Sequence, residues 1–179
     1  MEQVFLSLGS NIGDRLANLQ QAVAGLREFA GITRLSHAYE SEPVEFTAQP
    51  LFMNAVVGLK VDDSQSASSW GSPEALLERL LAVEYQMGRR REGAAYIPKG
   101  PRLIDIDIVL YGNRVIHSAT LTVPHPAMHL RRFVLEPLVE IAPEVVHPLL
   151  HQSATQMLRA LPMGGAAVRK FASLCADQE

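Results

Sequence analysis

With a single cysteine, Cys175, the chain cannot close an internal disulfide, and no Cys/His spacing in its 179 residues resembles a zinc site. Redox chemistry and a structural metal are therefore not expected. No apolar run approaches the roughly 20 residues that a membrane helix needs. The opening MEQVFLSLGS has no basic stretch leading into an apolar run and a small-residue cleavage site. A cytoplasmic protein with no membrane partner is the expectation. Positive charge is also short: the net charge is −3, which argues against a nucleic-acid partner. No Walker A motif occurs, since GSNIGD (9–14) lacks its lysine and its spacing. There is no internal repeat. At 179 residues and 47% hydrophobic content, a single core is feasible, so one domain over 1–179 is expected, with 162–179 as a flexible tail.

The hydrophobic pattern predicts the elements. QVFLSL (3–8) reads as a buried strand, followed by a glycine-rich turn that ends in Asp14, a suitable helix N-cap. Leu16, Leu19, Val23, Leu26 and Ala30 recur at helical spacing, and Gly31 can end that helix. ITRLSHAY (32–39) alternates as a strand, ESEPVEFTAQP (40–50) reads as a loop, and LFMNAVVGLKV (51–61) as a third strand. A serine-rich linker spans 62–72. Pro73 then opens a helix with the stripe Leu76, Leu77, Leu80, Leu81 and Met87, capped by Gly88. A second loop, RRREGAAYIPKGPR (89–102), precedes the strand IDIDIVL, and YGNRVI (111–116) turns into another short strand. Helices are expected near Arg132–Ala142 and Ala154–Leu161. Strand, helix, strand, strand, helix, strand is the order of a ferredoxin-like unit. The expected fold class is α+β: a ferredoxin-like βαββαβ core with C-terminal helical additions.

Asp105 and Asp107 are the unusual residues of the last core strand. Side chains alternate along a strand, so both leave the same face, roughly 6.6 Å apart at about 3.3 Å per residue. A solvent-facing strand explains an arbitrary pair of this kind. Here Arg89, Arg90 and Arg91 follow Gly88 directly, and Lys99 and Arg102 border the same loop. One arginine at a helix C-terminus answers the dipole; the rest exceed that need and suit phosphate oxygens. Adjacent carboxylates repel unless a cation or a proton relieves them, and magnesium takes one or two carboxylates together with substrate phosphates. Polyphosphate held between cations is the reading. An acid/base pair for glycoside hydrolysis fits the distance but leaves the arginines without a role. Glu84 lies in a core-facing stripe, as a boundary residue paired with arginine or as part of the site. His125 is either a loop histidine satisfied by backbone or a phosphate contact. Phe52 and Phe133 pack by default. Asn54, an amide amid an apolar strand, must find partners and could read the edge of a heterocycle.

GPRLIDIDIVLYGNRVI and LTVPHPAMHLRRFVLEPL, with LSLGSNIGDR at the start and SEPVEFTAQPLFMNAVV between, resemble the 6-hydroxymethyl-7,8-dihydropterin pyrophosphokinases of folate biosynthesis. The resemblance covers about residues 3–149. It implies transfer of an intact pyrophosphoryl group from ATP to the pterin hydroxymethyl oxygen, with AMP leaving and two magnesium ions at Asp105 and Asp107. Arg89 and Arg102 would act with the two aspartates in catalysis. Glu84, Arg91, Ile108, His125 and Arg131 would contact ATP. Ser41, Pro43, Val44, Phe52, Asn54 and Phe133 would form the pterin pocket. A monomer, at most weakly dimeric, is expected.

The chain departs from the family pattern at Lys99, where an aromatic residue is common, at Glu42 and Pro126, and in a longer second loop. Two other classes fit less well. An RNA-recognition domain shares the element order, but LFMNAVVGLKV lacks its aromatic signature. A nucleotide-sugar transferase with Asp-x-Asp leaves the pterin-like residues unexplained.

Overall fold

Strand β1 (Glu2–Ser10) occupies an interior position in the sheet and sends alternate side chains to opposite faces. Val4, Leu6 and Leu8 enter one buried cluster and Phe5 enters another, so the strand is apolar on both faces. The computed structural model describes residues 2–44, 47–61, 72–90 and 100–174. The remaining elements are α1 (Arg15–Arg27), β2 (Gly31–Leu35), β3 (Ala38–Ser41), β4 (Phe52–Val61), α2 (Pro73–Gln86), β5 (Asp105–Tyr111), β6 (Ile116–His117), β7 (Thr122–Val123), α3 (Arg132–Ile141), α4 (Ala154–Ala160) and β8 (Val168–Ala172). Helices and an antiparallel sheet are thus mixed, as expected of the class. The sheet runs β5-β1-β4-β3-β8, with β2 also pairing β4.

Local chemistry sets the helix starts. Asp14 accepts the Ala17 amide at 3.0 Å, and Ser72 accepts the Ala75 amide at 3.1 Å ahead of Pro73. Ser153 and Gln156 form a capping box at α4. The apolar stripes of α1 and α2 (Leu19, Val23 and Leu26; Leu76, Leu80 and Val83) cover the face of β1 that carries Leu6 and Leu8. α3 and α4 cover part of the other face, where Val134, Leu135, Leu138 and Met157 meet Phe5, Val56 and Val109.

Two expectations change. The strand over 32–39 is broken into β2 and β3 at Ser36–His37, because the Ser36 hydroxyl accepts the Val56 amide at 2.9 Å while the Ser36 amide donates to Val56 O at 3.0 Å. Residues assigned to a flexible tail include β8, which adds to the edge of β3. The pairing is long-range, so local periodicity carries no sign of it. The linker residues 62–71, together with Arg91, Tyr96, Lys99 and Cys175, lie outside the described residues. Among the described residues, no helix is long and apolar enough to cross a membrane.

Glu140 joins α3 to this edge of the sheet. It accepts from Tyr39 Oη at 2.9 Å, Lys170 Nζ at 3.1 Å and the His37 amide at 3.1 Å, with His37 Nδ1 also in contact. Burial opposes its ionisation, but these bonds outweigh it and hold the carboxyl below its ordinary range. Glu140→Gln is expected to cost about 1–2 kcal/mol at pH 7. A depressed carboxylate stabilises the fold above its unfolded pKa and loses that contribution as pH falls through the folded value. The difference between the two proteins should therefore shrink by pH 3. Urea unfolding at both pH values measures it.

Candidate active site

The second face of the sheet turns from apolar to polar beyond the reach of α3. On β5, Val109 packs under α3, whereas Asp107 and Asp105 point into an open cavity. On β1 the sequence passes from Phe5 to Ser7 and Gly9, and the register sets Ser7 beside Asp107 and Gly9 beside Asp105. On β4, Val56 gives way to Asn54 and Phe52, with Asn54 opposite Gly9. Strand periodicity thus carries one continuous face from core to cavity. The cavity holds about 280 Å³, and Ser41, Pro43, Val44, Phe52, Asn54, Arg89, Arg102, Asp105, Asp107, His125, Arg131 and Phe133 all line it.

One wall is charged. Arg89 Nη2 lies 3.0 Å from Asp105 Oδ1, and Arg102 Nε lies 3.0 Å from Asp105 Oδ2, so two guanidinium groups bracket one carboxylate. Arg89 also donates to Ile104 O at 2.6 Å. Asp107 behaves differently. Burial, followed by the charge of Asp105, pushes its pKa up to about 6, against the pull of Arg131 and Arg102. His125 Nδ1 accepts the Ala127 amide at 3.1 Å, which leaves Nε2 facing Arg131 Nη1 at 3.4 Å. One nitrogen is thus satisfied by backbone, and the ring lines the cavity.

The rest of the lining includes aromatic and amide side chains. Asn54, only 3% exposed, donates to Ser41 Oγ at 2.8 Å, which orients its carboxamide at the cavity floor. A Cβ on Gly9 would lie 3.4 Å from Asn54 Oδ1 and 3.9 Å from the Phe52 ring, so the missing side chain leaves space between them. The guanidinium of Arg102 sits 5.0 Å from the centre of Phe52, and that of Arg131 5.7 Å from the centre of Phe133.

Two residues expected at the nucleotide do not line the cavity. Glu84 is 1% exposed and follows Leu76 and Leu80 at four-residue steps, so α2 turns it toward β5. There it accepts the Ile106 amide at 2.8 Å and lies 3.6 Å from Arg89 Nε. The Ile108 side chain is buried in the core beneath α1 and α2. Arg91 falls outside the described residues.

The sequence reading also missed lining residues Ser7, Gly9 and Gln49, and assigned no contact to Glu42. Register against the Asp pair would have found the first two. Asn11 was missed as well. Buried at 2% exposure, it accepts the Arg102 amide at 2.8 Å and donates to Gln49 Oε1 at 3.0 Å, tying the loop before β5 to the loop before β4.

The chain is also similar to known proteins over most of its length. Residues 5–143 match the family model described as 7,8-dihydro-6-hydroxymethylpterin-pyrophosphokinase. A 2-amino-4-hydroxy-6-hydroxymethyldihydropteridine pyrophosphokinase of Aquifex aeolicus is 40% identical over 149 residues, covering 83% of this chain and 86% of the relative. The enzyme of the same name from Bacillus subtilis is 41% identical over 143 residues, covering 79% of this chain and 78% of the relative. The folic acid synthesis protein fol1 of Schizosaccharomyces pombe is 40% identical over 171 residues, covering 94% of this chain, which spans only 21% of that protein. In structure, the chain matches an HPPK-DHPS solved in complex with substrates at a TM-score of 0.66 and 15% identity, over 89% of this chain and 43% of the other. That last likeness speaks for the fold alone. The chain belongs to the 7,8-dihydro-6-hydroxymethylpterin-pyrophosphokinase family.

Proposed function

We propose that the chain transfers a pyrophosphoryl group from ATP to the hydroxymethyl oxygen of 6-hydroxymethyl-7,8-dihydropterin, releasing AMP in a step of folate synthesis. The observation that carries the reading is that one cavity joins two kinds of lining: the charged Asp105, Asp107, Arg89, Arg102 and Arg131, and the aromatic and amide side chains Phe52, Asn54 and Phe133. A nucleotide alone could use both sets of residues, and it is the family match that supports assigning the aromatic and amide residues to a pterin beside the nucleotide. A polyphosphate beside a heterocycle uses each.

The donor set suits magnesium. Two carboxylates share one cavity, and the like charge of Asp105 helps raise the pKa of Asp107, a cost that a divalent cation relieves. With only two carboxylates supplied by the protein, substrate phosphates would complete the coordination of magnesium. Asp105 and Asp107 would hold two ions, which supply charge neutralisation at the transferring phosphates. Arg89, Arg102, Arg131 and His125, with Arg91 from the loop, would hold phosphate oxygens and position the β-phosphorus near the pterin oxygen. Phe52 and Phe133 would sandwich the ring, Asn54 would read its polar edge, and Ser41, Pro43 and Val44 would close the rim.

The sheet order β5-β1-β4-β3, with the second strand of the unit broken into β2 and β3, supports the ferredoxin-like description. A cytoplasmic monomer completes the reading. Phosphorus NMR of the protein with ATP, magnesium and 6-hydroxymethyl-7,8-dihydropterin tests it. AMP and a pterin pyrophosphate should appear together, and only when the pterin is present. ADP, or no pterin-dependent turnover by folded protein, would overturn it.

A further inference from the structure

β8 lies beyond residue 143, where the family match ends, yet it is built into the rim of the cavity. Its register sets Val168 opposite Ser41, and the Glu42 amide donates to Ala167 O at 3.3 Å. The ladder therefore continues from β3 as far as Glu42, within the rim segment Ser41–Val44 that lines the cavity. Cross-strand and cross-element charge adds to it. Arg169 Nη2 lies 2.5 Å from Glu40 Oε1, Arg15 holds the other oxygen of Glu40 at 2.8 Å, and Lys170 reaches Glu140 at 3.1 Å. The far end is fastened by Leu174, 5% exposed in the cluster beneath α1 and α2. The middle of the strand, by contrast, is solvent-facing, with Phe171 53% exposed. Such a strand contributes little to the core while ordering the element beside it.

We propose that β8 is a positioning strap for the pterin site: it holds Ser41–Val44 in the pterin-receiving arrangement, so the ring does not have to order that rim on binding. This rests on the reading of the cavity as a pterin site. A rim that is receptive only a tenth of the time weakens apparent affinity about tenfold. The effect falls on the pterin and not on ATP, because Arg89, Arg102 and the aspartates are carried by the segment after α2, the segment before β5 and β5 itself, none of which pairs with β8.

The test uses the full chain with Arg169→Pro/Lys170→Pro, which removes one ladder amide and both cations, and separately with Leu174→Ala, which loosens the anchor. Both should raise the pterin KM and Kd about tenfold while leaving the ATP KM and the kcat at saturating pterin within about twofold. Amide exchange at Glu42 should be slow in the parent protein and fast in both variants. Equal pterin affinity in folded variants, or pterin and ATP affinities falling together, would overturn the strap. A parent protein that neither binds nor turns over pterin would overturn the functional reading instead. The strap's hold on the rim would still stand or fall by the exchange rate of Glu42.

Discussion

Asp107→Asn should lose pyrophosphoryl transfer by on the order of 10³-fold and, in the metal-free protein at pH 8, melt at a higher temperature than its parent. Asp107 sits on a sheet face in a row with Ser7 and next to Asp105, and burial together with that neighbour pushes its pKa up to about 6. A carboxyl whose folded pKa is raised makes the ionised protein less stable. That cost is absent below the unfolded value and is fully present above about pH 6. Asparagine keeps the shape and removes the charge, so the stability gain should be largest at pH 8 and disappear near pH 4. The loss of activity follows from the same charge, since an amide is a poor ligand for a hard cation beside phosphate. Thermal melts across that pH range, with and without magnesium and a non-hydrolysable ATP analogue, separate the effects. Magnesium with the analogue should stabilise the parent far more than the variant. Normal turnover by folded Asp107→Asn would remove the metal-holding role. A lower melting temperature at pH 8 would contradict the electrostatic account.

The same strand shows why some of the site could be read from the sequence and some could not. Period-two alternation places Asp105 and Asp107 together without knowledge of any neighbour, and the helical stripes of α1 and α2 are equally local. Ser7 and Gly9 were hidden because the β1 sequence looks buried throughout; only its register against β5 turns them into floor of the cavity. β8 was hidden for the opposite reason. VRKFA is an edge strand with an exposed middle, so it has no alternating apolar pattern, and its partner β3 is more than a hundred residues away. The break between β2 and β3 depends on one hydroxyl, Ser36, standing in for a backbone acceptor. Glu84 was an intermediate case. Its core-facing stripe position was legible, but that position alone does not say whether a carboxylate faces a ligand or, buried as here, a strand.

Glu84 and Arg89 should therefore behave as a coupled pair in which stability and chemistry divide unequally. Arg89 donates to Ile104 O, pairs with Asp105 and lies 3.6 Å from Glu84, whose other oxygen accepts the Ile106 amide. Arg89→Ala leaves the buried Glu84 carboxylate without its nearby guanidinium, and a cost of about 3–5 kcal/mol is expected. Glu84→Gln keeps a carbonyl oxygen for Ile106 and removes the charge that Arg89 would have left behind. Adding Glu84→Gln to Arg89→Ala should thus recover at least about 1 kcal/mol, a coupling that urea unfolding of the two single variants and the double variant resolves. Turnover should not follow stability. Arg89→Ala lacks one of the two guanidinium groups that bracket Asp105, so a loss of about 10²- to 10³-fold is expected to persist in the double variant. Glu84→Gln alone, with Arg89 still held by Asp105 and Ile104, should bind ATP within a few-fold of the parent. If Glu84→Gln instead weakens ATP by more than about tenfold with stability unchanged, Glu84 touches the nucleotide itself. If the double variant is no more stable than Arg89→Ala, the contact between the two side chains carries no coupling, and Arg89 stabilises the fold through Ile104 and Asp105 alone.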